Sequence, residues 1–152
     1  MDDEKYMRRA LELAQKASLE DETPIGAVIV YQDQIIGEGY NRRNQLGNPL
    51  CHAEIEAINQ AANFLKDWRL EECTMYVTLE PCPMCAGAIV QARIPRVVLG
   101  AMNPKAGCAG SIMNLLEEPR FNHQVQVERG ILEDESRTIM QAFFAELRKR
   151  KG

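Results

Sequence analysis

Short, strand-like apolar segments alternate along this chain with longer segments in which apolar residues recur at helical spacing. Between Tyr6 and Ala17 the apolar positions follow a helical repeat, which predicts an amphipathic helix over residues 2–18. The element order α-β-β-α-β-α-β-β-α predicts an α/β fold, a three-layer α/β/α sandwich with a mixed central sheet. The other predicted helices cover 52–65, 82–92 and 134–151, and the predicted strands cover 27–31, 34–39, 74–79, 97–99 and 124–127.

The size and composition of the chain are those of an ordinary globular domain. Its 152 residues, 45% hydrophobic and 26% charged, predict one domain over residues 1–152. No segment has the roughly 18 consecutive apolar residues that a membrane span needs, and the acidic, mixed start of the sequence does not resemble a secretory signal. We therefore expect a cytoplasmic protein, whose cysteines are more often metal ligands or buried thiols than disulfides.

The net charge of −4 argues against a general nucleic-acid coat protein, which would normally be basic. It leaves room for a local basic patch, and the sequence offers two, at Arg42-Arg43 and at 148–151. Both patches are compatible with solvated surface and with a phosphate-binding face.

Two of the five cysteines, Cys82 and Cys85, stand at the start of a predicted helix. Residues at i and i+3 share one helix face, so both sulfurs can reach one point. The helix N-terminus supplies a positive dipole end and unpaired N–H groups, which favour the thiolate form that binds metal. The pair fits a redox couple, half of a structural zinc site or part of a catalytic metal site.

A second predicted helix begins at His52-Ala53-Glu54. Inside a helix, residues two apart point to nearly opposite sides, so His52 and Glu54 can converge only where the helix is just beginning. Two strand-to-helix junctions in one α/β layer can lie side by side, at the edge where such folds usually bind ligands. His52 would then join Cys82 and Cys85 as a third zinc ligand, and the occupant of the fourth position decides what the site does.

Water in the fourth position would make the zinc catalytic. The pKa of zinc-bound water falls to about 7, and Glu54 is the right kind of group to relay its proton. A fourth protein ligand would make the zinc structural. Cys108, in a glycine-rich loop, is the best candidate for that ligand, because Cys51 and Cys73 are more simply buried apolar residues. A thioredoxin-type redox pair would leave His52 and Glu54 unexplained.

The combination of His52-Ala53-Glu54 with Pro81-Cys82-Pro83-Met84-Cys85 matches the H-x-E and P-C-x-x-C signature of zinc nucleobase deaminases. On these motifs the chain resembles the cytidine/deoxycytidylate-type zinc deaminase superfamily, and most closely its bacterial branch that acts on adenosine in tRNA. The resemblance covers nearly the whole chain. It runs through PIGAVIV (24–30), GEGYNRR (37–43), CHAEIEAI (51–58) and MYVTLEPCPMCAGAIVQARI (75–94), which fit several deaminases, and through VVLGAMNPKAGCAGS (97–111), FNHQV (121–125) and FFAELR (143–148), which point to the tRNA branch.

The resemblance implies a cytidine-deaminase-like fold and hydrolytic deamination of the wobble adenosine in a tRNA anticodon loop to inosine. Zinc-bound hydroxide would attack the base, and Glu54 would shuttle protons. One Zn²⁺ per chain would be held by His52, Cys82 and Cys85. The implied partners are a tRNA anticodon stem-loop and a second copy of the chain in a homodimer, with no DNA and no membrane.

The same resemblance implies a set of substrate-binding residues. Asn41 would hydrogen-bond the base, and the backbone around Ala53 would line the pocket. In this chain Asn103 stands where the family is often acidic, which removes a charge from the contact with the anticodon loop. The remaining substrate-binding residues implied by the resemblance are Lys105, His123, Phe143, Phe144 and Arg148.

Two other classes of function stay open on the sequence. A deaminase of free bases or nucleosides, of guanine or cytosine type, would share the zinc chemistry but would not need a basic, aromatic rim. A non-catalytic, zinc-stabilised nucleic-acid-binding module would not depend on Glu54. Asn41 could equally be a turn residue, Phe143 and Phe144 core residues of the last helix, and His123 a satisfied surface residue.

Overall fold

The computed structural model describes residues 2–151, and it contains every helix and strand predicted from the sequence, with bounds shifted by one or two residues. None of the helices in this part of the chain is both long and apolar enough to cross a bilayer. The elements are α1 (Asp3–Leu19), β1 (Gly26–Tyr31), β2 (Gln34–Tyr40), α2 (Arg43–Leu46), α3 (Ala53–Leu65), β3 (Cys73–Leu79), α4 (Pro83–Gln91), β4 (Arg96–Ala101), β5 (Gln126–Glu128) and α5 (Glu133–Lys151).

The five strands form one mixed sheet in the order β2-β1-β3-β4-β5. β1 pairs antiparallel with both β2 and β3, whereas β3, β4 and β5 run parallel to one another. The turn between β1 and β2, at Gln32-Asp33, has φ values of 49° and 60°, the positive values that a two-residue type I′ hairpin turn requires.

Side chains of β1 alternate between two cores, one on each face of the sheet. Ala27 and Ile29 face the core that includes the inner surfaces of α3 and α4. Val28 and Val30 face the core formed with α1. Helix α5 contacts α1 and β4, so it lies on the same face as α1. The predicted three-layer α/β/α sandwich is confirmed.

The segment between β2 and α3 contains a helical turn that is not among the helices predicted from the sequence. A single helical turn, α2, forms there because the buried carboxylate of Glu22 accepts hydrogen bonds from the backbone N–H groups of Asn44, at 3.1 Å, and Gln45, at 2.7 Å. Gly47 ends the turn in the left-handed conformation with φ 56°. The carboxylate of Glu22 lies more than twenty positions before the turn that it stabilises, so no local sequence pattern predicts α2.

Candidate active site

The start of α3 is held against β2 at a contact that only glycine allows. A Cβ on Gly39 would lie 2.2 Å from the carbonyl oxygen of Ala53, the first helical residue. His52 precedes it in an extended conformation, with φ −89° and ψ 155°. The change from extended to helical backbone at this point lets His52 and Glu54 approach the same region, as the sequence predicts.

The start of α4 shows the same change from extended to helical backbone. Cys82 is extended, with φ −73° and ψ 175°, and Pro83 occupies the first helical turn, where its fixed φ suits the helix and its missing N–H is no loss. Cys85 follows one turn later and is fully buried. Both sulfurs therefore lie at the N-terminal end of α4.

His52, Cys82 and Cys85 form a cluster with the dimensions of a metal site. His52 Nδ1 lies 3.7 Å from Cys82 Sγ and 3.6 Å from Cys85 Sγ, and the three donor atoms all lie within 4.8 Å of one another. Tetrahedral zinc, with bonds of about 2.3 Å to sulfur and about 2.05 Å to nitrogen, separates such donors by about 3.6 Å. Within residues 2–151 this is the only group of three or more potential ligand side chains that close together, and Cys51, Cys73 and Cys108 are not part of it.

Hydrogen bonds within the cluster favour the thiolate form of Cys82, which can act as a metal ligand. The bond from the Cys85 thiol, followed by that from His52, lowers the pKa of Cys82 to about 4 against the opposing effect of burial. The bond to Cys82 raises the pKa of His52, and the bond to Cys82 together with burial raises the pKa of Cys85. Cys82 is thus a thiolate at neutral pH, the form that binds metal.

Glu54 is a carboxyl group buried beside this cluster. Only 3% of the residue is exposed, and it shares a hydrogen bond with Cys85. Burial raises the pKa of Glu54 to about 7; a bond from its own backbone N–H opposes this shift, and the charge of Cys82 adds to it. A carboxyl group that titrates near neutrality can both take up and release a proton under physiological conditions.

A cavity of about 700 Å³ opens beside His52 and Ala53. Its volume lies within the range of pockets that bind small organic groups. The walls come from the start of α3, the end of β3, the segment after β4 and one side of α5. The lining residues are Thr23, Ile25, Asn41, Arg43, His52, Ala53, Leu79, 101–105, Arg137, Met140, Gln141, Phe144 and Arg148.

Most of the substrate-binding residues expected from the sequence meet in this cavity, and two do not. Phe143 lines a separate groove between α1 and α5. His123 Nε2 lies 2.8 Å from the carbonyl oxygen of Ile94, with which it forms a hydrogen bond. The six that line the cavity are Asn41, Ala53, Asn103, Lys105, Phe144 and Arg148.

The sequence analysis missed several residues of the cavity wall, among them Arg43, Met140 and Gln141. A signal for part of this set was available in α5. Arg137, Gln141, Phe144 and Arg148 follow one another at spacings of four, three and four residues, so all four lie on one face of the helix. Helical spacing from Phe144 and Arg148 could therefore have identified Arg137 and Gln141.

Nucleobase deaminases combine a His-Cys-Cys donor set with an adjacent glutamate, so the fold and the site together define the deaminase class. A family model described as MafB19-like deaminase matches residues 1–148. The tRNA-specific adenosine deaminase of Bacillus subtilis (strain 168) is 52% identical over 98% of this chain and 92% of its own length. The chain belongs to the MafB19-like deaminases and, among them, to the tRNA-specific adenosine deaminase family.

One solved structure agrees with this assignment, and another shares the fold. A structure from work on A-to-I editing by tRNA:A34 deaminases at the wobble position of transfer RNA has a TM-score of 0.85 and 41% identity, covering 89% of this chain and 98% of that chain. A guanine deaminase from Nitrosomonas europaea shares the fold with a TM-score of 0.81 at 22% identity, covering 93% of this chain and 84% of that chain.

Proposed function

We propose that this chain hydrolytically deaminates adenosine to inosine at the wobble position of a tRNA anticodon loop. The observation that carries the proposal is a cavity that is lined by His52 of the His52-Cys82-Cys85 cluster and has basic and aromatic side chains at its rim. Identity of 52% to the Bacillus subtilis tRNA-specific adenosine deaminase over 98% of the chain supports the choice of substrate.

The cofactor of this proposal is one Zn²⁺ per chain, held by His52, Cys82 and Cys85. One imidazole nitrogen and two sulfurs at these spacings suit zinc, and the Cys82 thiolate is ready to bind it. Zinc in such a site acts as a Lewis acid and makes hydroxide available near neutral pH.

Glu54 is the acid–base group of the proposed reaction. It takes a proton from the attacking water and delivers it to a ring nitrogen of adenine. It then takes the second proton of that water, now on the hydroxyl group added at C6, and transfers it to the amino group, which departs as ammonia. A pKa of about 7 suits both directions of transfer, and burial keeps bulk water from exchanging the proton.

Asn41 and Ala53 hold the base in this proposal. Asn41 is only 5% exposed, and its side-chain oxygen accepts a hydrogen bond from the backbone N–H of Arg43 at 3.3 Å, which fixes the orientation of the amide in the cavity wall. Ala53 is fully buried next to His52, so its backbone borders the reactive position.

The rim of the cavity binds the RNA chain around the target base. Arg43 lines it from α2, Lys105 from the segment after β4, and Arg137 and Arg148 from α5, so phosphates meet positive charge from three parts of the chain. Phe144, 40% exposed, offers a face on which an extruded base can stack. Asn103 contributes a neutral polar contact at the same rim.

His123 and Phe143 remain candidate RNA contacts through the family resemblance alone. Because neither lines the cavity, a role for them requires nucleotides beyond the target base. Substitution of either residue should then affect binding of a full stem-loop and leave the reaction of a short oligonucleotide unchanged.

A cytoplasmic homodimer completes the proposal. Its support is a pair of apolar side chains that the monomer leaves exposed a few residues after the cavity-lining segment 101–105. The exposed fraction is 55% for Ile112 and 51% for Met113. A stable dimer buries about 1,200–2,000 Å² of surface in total. Sedimentation equilibrium at micromolar concentration should give twice the 17.2 kDa chain mass, and a monomer would contradict this part of the proposal.

The decisive experiment presents the zinc-loaded protein with an anticodon stem-loop containing a wobble adenosine. Matched reactions contain a stem-loop with the adenosine moved by one position, free adenosine, guanine or cytidine. Inosine formed only in the first reaction supports the proposal. Product from a free base or nucleoside alone would reassign the substrate, and binding without product would favour a non-catalytic module.

A further inference from the structure

One side of the cavity rim is built by an irregular segment that follows β4, residues 102–111. Its first part, 102–105, lines the cavity. Its later part turns back under the rim and includes the buried residues Gly107, Cys108 and Ala109. The position of residues 102–105 therefore depends on the contacts that residues 106–111 and the backbone of Asn103 make below the rim.

A buried carboxylate lies inside this segment. Glu80 is 1% exposed, and all its hydrogen-bond donors come from 103–111. Its Oε1 accepts from the Asn103 N–H at 2.8 Å and from the Ser111 hydroxyl at 2.5 Å. Its Oε2 accepts from the N–H groups of Ala109 and Ser111, each at 2.9 Å. Four donors on two oxygens leave the carboxylate well satisfied despite its burial.

Gly107 lets the segment close tightly around this carboxylate. A Cβ on Gly107 would lie 2.2 Å from both Cδ and Oε1 of Glu80, well inside van der Waals contact. The backbone of Gly107 also donates to the carbonyl oxygen of Asn103 at 2.8 Å. Gly107, which packs against the carboxylate, is thus hydrogen-bonded directly to Asn103, which lines the cavity.

The anchor is joined to the metal-ligand segment. The backbone N–H of Glu80 donates to Ala101 at 2.9 Å, and the N–H of Cys108 donates to the carbonyl oxygen of Pro81 at 2.8 Å. Cys82 comes next along the chain. Residues 80–82 therefore hold the loop on one side and supply a candidate metal ligand on the other.

We propose that Glu80 is a positioning residue that fixes the 102–105 rim relative to the metal centre and so sets the affinity for the nucleotides flanking the target base. The identity of the ligand rests on the proposed function, whereas the hold of Glu80 on the loop does not. Glu80 touches no substrate, so it acts through Asn103 and its neighbours.

Glu80→Gln tests this role because it keeps the shape and removes one acceptor oxygen. An amide nitrogen at the Oε2 position would face two N–H donors, from Ala109 and Ser111. At the Oε1 position it would face only the Asn103 N–H, because the Ser111 hydroxyl can rotate to accept. The second arrangement leaves fewer donors unpaired, so the loss falls on Asn103 at the rim.

Two further variants probe the same contact independently. Gly107→Ala pushes a methyl group against the carboxylate from the opposite side and should reproduce the effect of Glu80→Gln. Ser111→Ala removes one of the four hydrogen bonds and leaves the three backbone donors, so its effect should be smaller. The matched control is Glu38→Gln, a half-buried carboxylate bonded to Arg9 and outside the cavity lining.

The experiment compares the zinc-loaded full chains by amide hydrogen exchange, by stem-loop binding and by steady-state deamination of the same stem-loop. For Glu80→Gln we expect exchange at Asn103 to accelerate at least about tenfold and Kd and KM to rise about tenfold, the effect of one lost charge-assisted hydrogen bond. We expect kcat within about twofold of wild type and unchanged zinc content. Glu38→Gln should change none of these quantities.

Unchanged exchange at Asn103 in both Glu80→Gln and Gly107→Ala would overturn the anchoring role. Faster exchange with a lower kcat and an unaltered KM would overturn the positioning role, because a merely structural residue reduces the amount of active enzyme. Failure of the wild-type protein to bind the stem-loop would refute the proposed function instead. In that case faster exchange at Asn103 would still support the anchor.

Discussion

Asp3 and Arg96 form a bidentate ion pair between α1 and β4. Arg96 Nη1 lies 3.0 Å from Asp3 Oδ1, and Arg96 Nη2 lies 2.7 Å from Asp3 Oδ2. The hydroxyl of Tyr76 also donates to Asp3, at 2.7 Å, and Arg96 reaches Glu128 of β5 at 2.8 Å. The side chains of Asp3 and Arg96 are 21% and 18% exposed, so solvent screens the pair only in part. This group fastens the N-terminal helix to three strands of the sheet, β3, β4 and β5.

Asp3→Asn should destabilise the protein by about 2 kcal/mol at pH 7, because the charge-assisted bonds weaken. The hydrogen bond from Arg96 lowers the pKa of Asp3 below its usual 3.8, against the effect of burial. The stabilisation is therefore complete above about pH 4 and disappears as the pH falls through the folded-state pKa. Urea unfolding should show a constant difference between wild type and variant from pH 5 to 8 and none in strong acid. Glu71→Gln alters an exposed carboxyl group outside this ion pair, and as the control it should leave the free energy of unfolding close to that of wild type.

Glu54→Gln should lower turnover by about 10²–10⁴-fold, the usual contribution of a positioned acid–base group. Zinc content should stay at the wild-type value, because the donors are His52, Cys82 and Cys85. The measurement is single-turnover inosine formation together with metal analysis of the same sample. Wild-type turnover in the variant would assign proton transfer to another group.

Cobalt substituted for zinc should give a thiolate-to-metal charge-transfer band in the near ultraviolet. Cys82→Ser and Cys85→Ser should each weaken the band, because each removes a sulfur donor from the cluster. Cys51→Ser and Cys108→Ser are the matched controls, and their spectra should equal that of wild type. Loss of the band in either control would reveal a fourth protein ligand and a structural site.

Gly39→Ala should displace the start of α3, because the added methyl would meet the Ala53 carbonyl at 2.2 Å. We expect a loss of about 2 kcal/mol in stability, typical of overpacking, and weaker metal binding because His52 adjoins the displaced residue. Gly87→Ala in α4 has no heavy atom within 4 Å of its added carbon and should be neutral or stabilising by up to about 1 kcal/mol. Thermal unfolding and competition with a chelator measure the two effects. If Gly39→Ala matches Gly87→Ala in both stability and metal affinity, the close contact between Gly39 and Ala53 does not constrain the start of α3.

Lys105→Ala should weaken stem-loop binding and reduce the salt dependence of the affinity. Removal of one phosphate contact lowers the slope of log Kd against log salt by roughly 0.7–1. Arg69→Ala, an exposed arginine outside the cavity, should leave both the affinity and the slope unchanged. A wild-type affinity that is indifferent to salt would contradict the proposed basic rim.

The sequence predicts that His52, Cys82 and Cys85 come together because its signals are local. His52 and Cys82 stand where an extended segment enters a helix, and in the structure both have the extended backbone that such a junction requires. The short apolar run of β1 is likewise a local signal for a strand, and in the structure its neighbouring residues Val28 and Ile29 face opposite cores.

The cavity wall is harder to predict because it depends on distant partners. Neighbouring residues in a helix point about 100° apart, so Phe143 and Phe144 cannot both face the cavity, and the choice is made by how α5 packs against α1 and β4. Arg43 enters the wall on α2, whose first turn is held by Glu22 from another part of the chain.

Helix α5 supplies one wall of the cavity, yet it follows every other described element along the chain. The three candidate metal donors all lie within the first 85 residues, so during vectorial synthesis they leave the ribosome well before that wall exists. The three donors are thus available to an ion before the α5 wall of the cavity has been synthesised.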